Sequence, residues 1–287
     1  MMRYAKPTDL DDALALLGKT QWRVLAGGTD FYPALGSKPL RENVLDINGL
    51  AGLRGIAETA SHFIIGARTT WTDIVKADLP PAFDALWQAA REVGSVQIQN
   101  TATVAGNLCN ASPAADGVPP LLILDADAEL RSLGGTRHLP LGDFILGNRR
   151  TALLPGEMVT AIRVPRSSAV GASNFQKLGA RRYLVISIAM AAARIAVGED
   201  GRIADAAIAV GSCSAVAKRL TGLEAALRGL PAGPALRDIV AEARLAELAP
   251  IDDVRGTAEY RLDAAREIVF RAVMAASAHS GAETVVA

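Results

Sequence analysis

Cysteine is nearly absent from this chain: Cys109 and Cys213 are the only two in 287 residues. Two thiols cannot build a disulfide scaffold, nor can they supply the ligands of an iron–sulfur cluster or an all-cysteine zinc site on this chain alone. The expected compartment is therefore the reducing cytoplasm. Charge of one sign is also lacking, since 30 Lys plus Arg balance 30 Asp plus Glu. Without a block of like charge the electrostatic footprint of a nucleic-acid binder is missing. Long apolar runs are lacking too: Tyr183 to Ala193, interrupted by Ser187, is about half of the roughly 20 residues a spanning helix needs, so no membrane insertion is expected. The opening MMRYAKPTDLDDA carries no apolar stretch of signal-peptide length. Neither GxxxxGK[ST] nor a GxGxxG running from strand into helix occurs, which removes the main support for P-loop and Rossmann nucleotide sites.

What remains is a chain rich in core material. Half the residues are hydrophobic and 21% are charged, so a globular protein of two or three packed units is expected. The first unit, residues 1–52, reads as β-α-β: Thr8 is a plausible N-cap, Leu10, Leu14 and Leu17 share a helical face, and Trp22–Leu25 and Val44–Ile47 are short continuous apolar runs of the parallel-strand kind. From Leu53 the pattern turns to strands, with a helix at Ala82–Val93, a hairpin around Gly134 and Gly135, and a strand at Met158–Val164 that ends at Pro165. Residues 53–168 form this second, mostly antiparallel unit, and Arg166 to Ser173 reads as a linker. Residues 174–287 form an α+β unit: strands Val185–Val197 and Ile203–Val210 joined at Gly198–Gly201, then three helices, the last carrying Leu262, Ala265, Val269, Val273 and Ala276 at helical spacing.

Two glycine-containing segments are candidate ligand loops. Leu25-Ala26-Gly27-Gly28-Thr29-Asp30 follows directly on a strand, and Thr103-Val104-Ala105-Gly106-Asn107 lies far downstream. Glycine permits positive φ and close approach of a ligand to the main chain, and successive N–H groups can hold phosphate oxygens. Either loop alone also reads as an ordinary tight turn.

Taken together with their flanks, the two segments resemble a known family. Ala26-Gly27-Gly28-Thr29-Asp30, Val96-Gln97-Ile98-Gln99-Asn100 and Thr103 through Asp116 are similar to the FAD-binding medium subunits of the molybdenum hydroxylases, the xanthine dehydrogenase and carbon monoxide dehydrogenase family. Asp46-Ile47-Asn48, Ile65 to Thr70, Pro155-Gly156-Glu157, Phe175 to Arg182 and Ala258-Glu259-Tyr260-Arg261 extend the likeness over nearly the whole chain. Two departures are noted: Ala105 stands where the family usually has glycine, and Gln99 where arginine is common.

The resemblance implies a two-subdomain FAD-binding fold of the vanillyl-alcohol oxidase type, followed by a C-terminal α+β domain, α+β overall. It implies noncovalent FAD, with both glycine loops on the pyrophosphate, Asp116 on the ribose, Val93 beside the adenine, and Val159 and Lys177 near the isoalloxazine ring. His62, His138 and His279 lie outside the loops, so no flavin–histidine bond is expected. The implied activity is that of an oxidoreductase: an electron-transfer subunit that takes electrons from 2Fe-2S clusters on a small partner and passes them to an external acceptor. Molybdopterin would lie on a large partner, in a dimer of heterotrimers. No catalytic or metal-ligating residue is expected on this chain itself. A self-contained flavin reductase and a flavin-free assembly subunit are the alternatives.

Overall fold

The computed structural model describes residues 2–283. Its elements, in chain order, begin with β1 (Tyr4–Ala5), α1 (Leu10–Lys19), β2 (Arg23–Leu25) and β3 (Val44–Asp46). The three strands are parallel in the order β1-β3-β2. Asp9, rather than Thr8, caps α1, its carboxylate accepting the N–H groups of Asp11 and Asp12. An aspartate suits this position because its charge meets the positive end of the helix. Ala13, Leu14 and Leu17 turn inward onto Trp22, Leu45 and Ile47.

A second sheet holds β4 (Ile56–Glu58), β5 (His62–Gly66), β6 (Asp127–Ser132), β7 (Gly135–Pro140) and β10 (Met158–Pro165), antiparallel in the order β4-β5-β10-β6-β7. The hairpin β6-β7 turns at Leu133 and Gly134. Against this sheet lie more helices than the sequence pattern suggested: α2 (Trp71–Lys76), α3 (Asp84–Glu92), α4 (Val96–Thr101), α5 (Val104–Asn110) and α6 (Val118–Ile123). A pattern of mostly strands misses α2, α4, α5 and α6, because six or seven residues complete too few turns to show a period. Three of them are held by caps instead, a full capping box at Thr70 and Asp73 for α2, Ser95 for α4 and Thr103 for α5, while α6 starts on prolines without a side-chain cap. A short helix α7 (Leu141–Phe144) leads into a small hairpin of β8 (Ile145–Gly147) and β9 (Arg150–Thr151).

The third sheet is β11 (Ala172–Leu178), β12 (Ala189–Val197), β13 (Ile203–Gly211) and β14 (Lys218–Arg219), antiparallel in chain order. It is followed by α8 (Thr221–Leu227), α9 (Leu236–Glu242) and the long α10 (Ala258–Glu283). The expected strand start at Val185 moves to Ala189, and the expected linker is ordered, with Ser173 buried and donating to the Ala82 carbonyl. Strand β12 reads as one apolar run because both its faces are covered. Ala189, Ala191, Ala193 and Ile195 face the C-terminal helices, while Met190 and Ala192 join the core of the preceding unit with Phe175. Arg194 is the buried exception, and it is satisfied by the carbonyls of Ile123 and Val170 and by Asp205. Among the described residues no helix is long and apolar enough to cross a membrane.

Candidate functional site

The two glycine loops, far apart in sequence, touch. A methyl group on Gly27 would fall 2.0 Å from the Thr101 carbonyl oxygen, so the backbones meet where only glycine fits. Gly28 stands at φ +77°, and any Cβ there would also press on the Tyr32 ring at 2.8 Å. The matching motif Asp46-Ile47-Asn48 explains how the first loop is aimed. Asp46 accepts the Tyr4 hydroxyl and the Asn48 N–H, and Asn48 Nδ2 then donates to the Ala26 carbonyl at 2.9 Å. Proton-rich partners and the nearby Lys6 outweigh burial and hold the Asp46 carboxyl below its ordinary value.

The second loop is the start of a helix. Thr103 Oγ1 accepts the Gly106 N–H, and a side chain on Gly106 would crowd that oxygen at 2.8 Å. The segment Ile65 to Thr70 fixes this helix start: Val104 N–H donates to the Thr69 carbonyl, and Trp71 N–H to that of Ala102. Ala105 lies inside α5 in ordinary helical conformation, so its methyl, a departure from the family pattern, is accommodated in the core.

Between the loops opens a cleft of about 1260 Å³. Ordinary small-molecule pockets hold about 300–1,000 Å³, so this one suits a larger ligand. Its walls are the end of α1 with β2, residues 26–31, the stretch from Ala102 to Asn110 without Val104 and Leu108, Arg149 and residues 153–159. The N–H groups of Gly27, Gly28, Thr29, Asp30 and Ala105 form no hydrogen bond among the described residues, whereas the loop carbonyls of Ala26, Gly28 and Asp30 are all engaged. Main-chain donors without partners, borne by residues of one cleft, are what an anionic ligand needs. A second hollow, about 440 Å³ beside Arg54, Phe63 and Asp73, lies apart from both loops.

Of the residues expected at the site, Ala26, Gly27, Gly28, Thr29, Asp30, Val93, Thr103, Ala105, Gly106, Asn107 and Val159 line the cleft. Leu25 and Val104 are buried behind it as packing. Asp116 and Lys177 do not themselves line the cleft. Lys177 Nζ meets Asp116 Oδ2 at 2.6 Å, Ser187 Oγ donates to Asp116 Oδ1 at 2.6 Å, and all three are buried. Burial pushes the Asp116 carboxyl up, opposed by the Lys177 ammonium and the two hydrogen bonds. With both oxygens engaged within the chain, this carboxylate joins the turn before α6 to Lys177 on β11 and to Ser187 ahead of β12. Sequence reasoning passed over Trp71, Arg149 and the 153–157 turn, all of which line the cleft. The quoted Pro155-Gly156-Glu157 was the available signal for the last.

Comparison with known proteins decides the family. Residues 1–167 match the FAD binding domain in molybdopterin dehydrogenase, and residues 174–276 match the CO dehydrogenase flavoprotein C-terminal domain. The chain belongs to the FAD-binding medium subunits of the molybdenum hydroxylases. This medium subunit is 31% identical to the xanthine dehydrogenase FAD-binding subunit of Escherichia coli O157:H7, over 97% of each chain. It is 29% identical to the carbon monoxide dehydrogenase medium chain of Hydrogenophaga pseudoflava, over 95% of this chain and 96% of that one. Carbon monoxide dehydrogenase from the same organism, in a form lacking the Mo-pyranopterin moiety of its molybdenum cofactor, superposes with a TM-score of 0.87 at 30% identity, covering 97% of this chain and 98% of that one. The medium subunit is accordingly an FAD-binding component of an oxidoreductase.

Proposed function

We propose that this chain is the electron-transfer flavoprotein subunit of a heteromeric molybdenum hydroxylase, receiving electrons from 2Fe-2S clusters on a small partner and releasing them to an external acceptor. A large partner would hold the molybdenum cofactor, with the complex assembling as a dimer of heterotrimers in the cytoplasm and the chain dividing at residues 52 and 168–174. The observation that carries this reading is the meeting of the two glycine loops at a cleft whose main-chain donors have no partner among the described residues. FAD fits that cleft by size and by charge.

On this reading Gly27 to Asp30 and Ala105 present N–H groups to the pyrophosphate, Thr29, Thr103, Gly106 and Asn107 complete the grip, and Val93 and Val159 supply apolar wall. Bound FAD supplies a carrier that accepts two electrons and returns them singly or in pairs. The protein holds it, shields it and leaves one edge open to the acceptor. With two cysteines the chain cannot carry a cluster, so the donor must sit on another chain.

The test is purification with and without the neighbouring large and small subunits. A yellow protein whose flavin identifies as FAD, bleached by the partner-supplied substrate, is the expected outcome. A colourless protein that assembles normally would favour the flavin-free scaffold, and turnover by the isolated chain would favour a self-contained reductase. Cys109 is exposed and lines the cleft, so attachment is checked directly. Acid precipitation should release all the flavin, and yellow colour in the pellet would contradict noncovalent binding.

A further inference from the structure

Strand β2 is an edge strand, paired with β3 on one side and with no strand on the other. In a parallel pair, every second residue of a strand turns both its main-chain groups to the neighbour, and the residues between turn theirs away. The phase is fixed by Arg23, whose N–H donates to the Asn43 carbonyl at 2.8 Å, with Arg23 in register with Val44 and Leu25 with Asp46. Arg23 and Leu25 therefore face β3, and Val24 between them faces outward. The N–H and C=O of Val24 form no hydrogen bond among the described residues. Val24 is 37% exposed and lines the cleft beside Arg23 and Ala26.

This open edge differs in kind from the glycine loop that follows it. From Gly27 to Asp30 the open groups are donors, as an anion requires, whereas Val24 leaves a donor and an acceptor open together. A phosphate oxygen there would set negative charge against the Val24 carbonyl. The pair instead suits a group with an acceptor beside an N–H, which is the edge of a heteroaromatic ring. Both rings of FAD carry such an edge: the adenine amino group beside a ring nitrogen, and the flavin ring N–H beside its carbonyls. Three residues of extended chain, from Val24 to Gly27, span about 10 Å at most, which keeps the two contacts within one dinucleotide.

We propose that the main chain of Val24 reads one ring edge of the bound dinucleotide, its N–H donating to the ring acceptor and its C=O accepting the adjoining N–H. This rests on the cleft being the FAD site. Val24 precedes the glycine motif, and any side chain at this position would carry the same main-chain groups, so no motif marks it.

The test is amide hydrogen exchange of Val24, followed by NMR in the flavin-free protein and again with saturating FAD, ADP or FMN. Without ligand the Val24 amide should exchange about tenfold or more faster than those of Arg23 and Leu25, and FAD should slow it about tenfold or more. Protection by ADP and not FMN assigns the adenine edge, and protection by FMN and not ADP assigns the isoalloxazine edge; both support the proposal. Slow exchange without ligand, or fast exchange with FAD bound, overturns it. Val24→Pro deletes the N–H at an edge position that the ladder does not use, so the sheet should survive. Its FAD affinity should fall about three- to tenfold, the range of one hydrogen bond between neutral groups. Unchanged affinity would mean that the ligand only covers this amide, and would overturn the proposal. If the proline variant does not fold, the ligand is altered instead: wild type should bind IDP less tightly than ADP, or FMN methylated at its ring N–H less tightly than FMN, by the same factor. Equal binding within both pairs overturns the proposal. If wild type binds no FAD at all, the functional reading itself fails, which distinguishes that failure from this one.

Discussion

Asp116 lies nine positions beyond Asn107, yet the polar groups at the two ends of this stretch are treated oppositely. Around the cleft, the N–H groups of Gly27 to Asp30, the Ala105 N–H, Trp71 Nε1 and Asn107 Oδ1 have no partner among the described residues. At the joint behind it, Asp116 is saturated by Lys177 and Ser187, and Lys177 also donates to the Glu92 carbonyl. The open main-chain donors of the cleft residues are available to a ligand, whereas the groups of the joint are already satisfied within the chain. The family motif runs through both without a break, so likeness alone cannot separate them.

The largest effect should come from breaking the joint. Asp116→Ala strands the Lys177 ammonium in the interior, and losing one partner of a buried pair costs about 3–5 kcal/mol. Urea unfolding should show that loss, and Asp116→Ala combined with Lys177→Met should regain most of it, because neither charge is then left alone. Little change in the single variant would return Asp116 to the candidates for a ligand contact.

Breaking the cleft should leave the fold and remove the ligand. Gly28→Val places a β-branched residue at φ +77° against Tyr32, so FAD affinity should drop by at least about 100-fold, roughly 2.7 kcal/mol, while circular dichroism of the flavin-free protein stays native. Full flavin occupancy in this variant would take Gly28 out of the site.

Restoring the family's usual glycine should do less. Ala105→Gly puts glycine inside α5, where it costs about 0.5–1 kcal/mol of stability by thermal melting, with FAD affinity unchanged within about twofold. A marked gain in affinity would show that the Ala105 methyl crowds the ligand.

The smallest effect lies at the cleft rim. Arg137 donates to both carboxylate oxygens of Glu157 at 2.7 and 2.8 Å and so holds that carboxyl below the ordinary range, despite partial burial. Because the folded-state value is lowered, the pair stabilises the protein above the unfolded value near about 4.3 and loses that contribution as pH falls through the folded value. Arg137 is 37% exposed, so solvent limits the contribution to less than about 1 kcal/mol. Melting curves of wild type and Glu157→Gln should differ slightly at pH 7 and converge at pH values below the ordinary carboxylate range, once Glu157 is protonated in the folded protein too. A constant gap across that range would assign the effect to packing.

Local chemistry by itself determined a good deal of this protein. The β-α-β opening, the β6-β7 hairpin, the strand ending at Pro165 and the heptad-like spacing of α10 follow from period, caps and turn residues, and the two glycine loops follow from their motifs. Helices α2, α4 and α5 were hidden because each is too short for a period to emerge, and their caps resemble ordinary turn residues. Contacts between distant segments were decided only by the tertiary structure. Gly27 is glycine because Thr101 lies against it, β12 is apolar but for Arg194 because two different cores cover its two faces, and Asp116 finds both its partners within the chain because folding brings Lys177 and Ser187 to it. A carboxylate or a main-chain N–H has the same sequence signature whether it finds its partner in the chain or in a ligand. Which of the two it finds depends on what folding brings within about 3 Å of it.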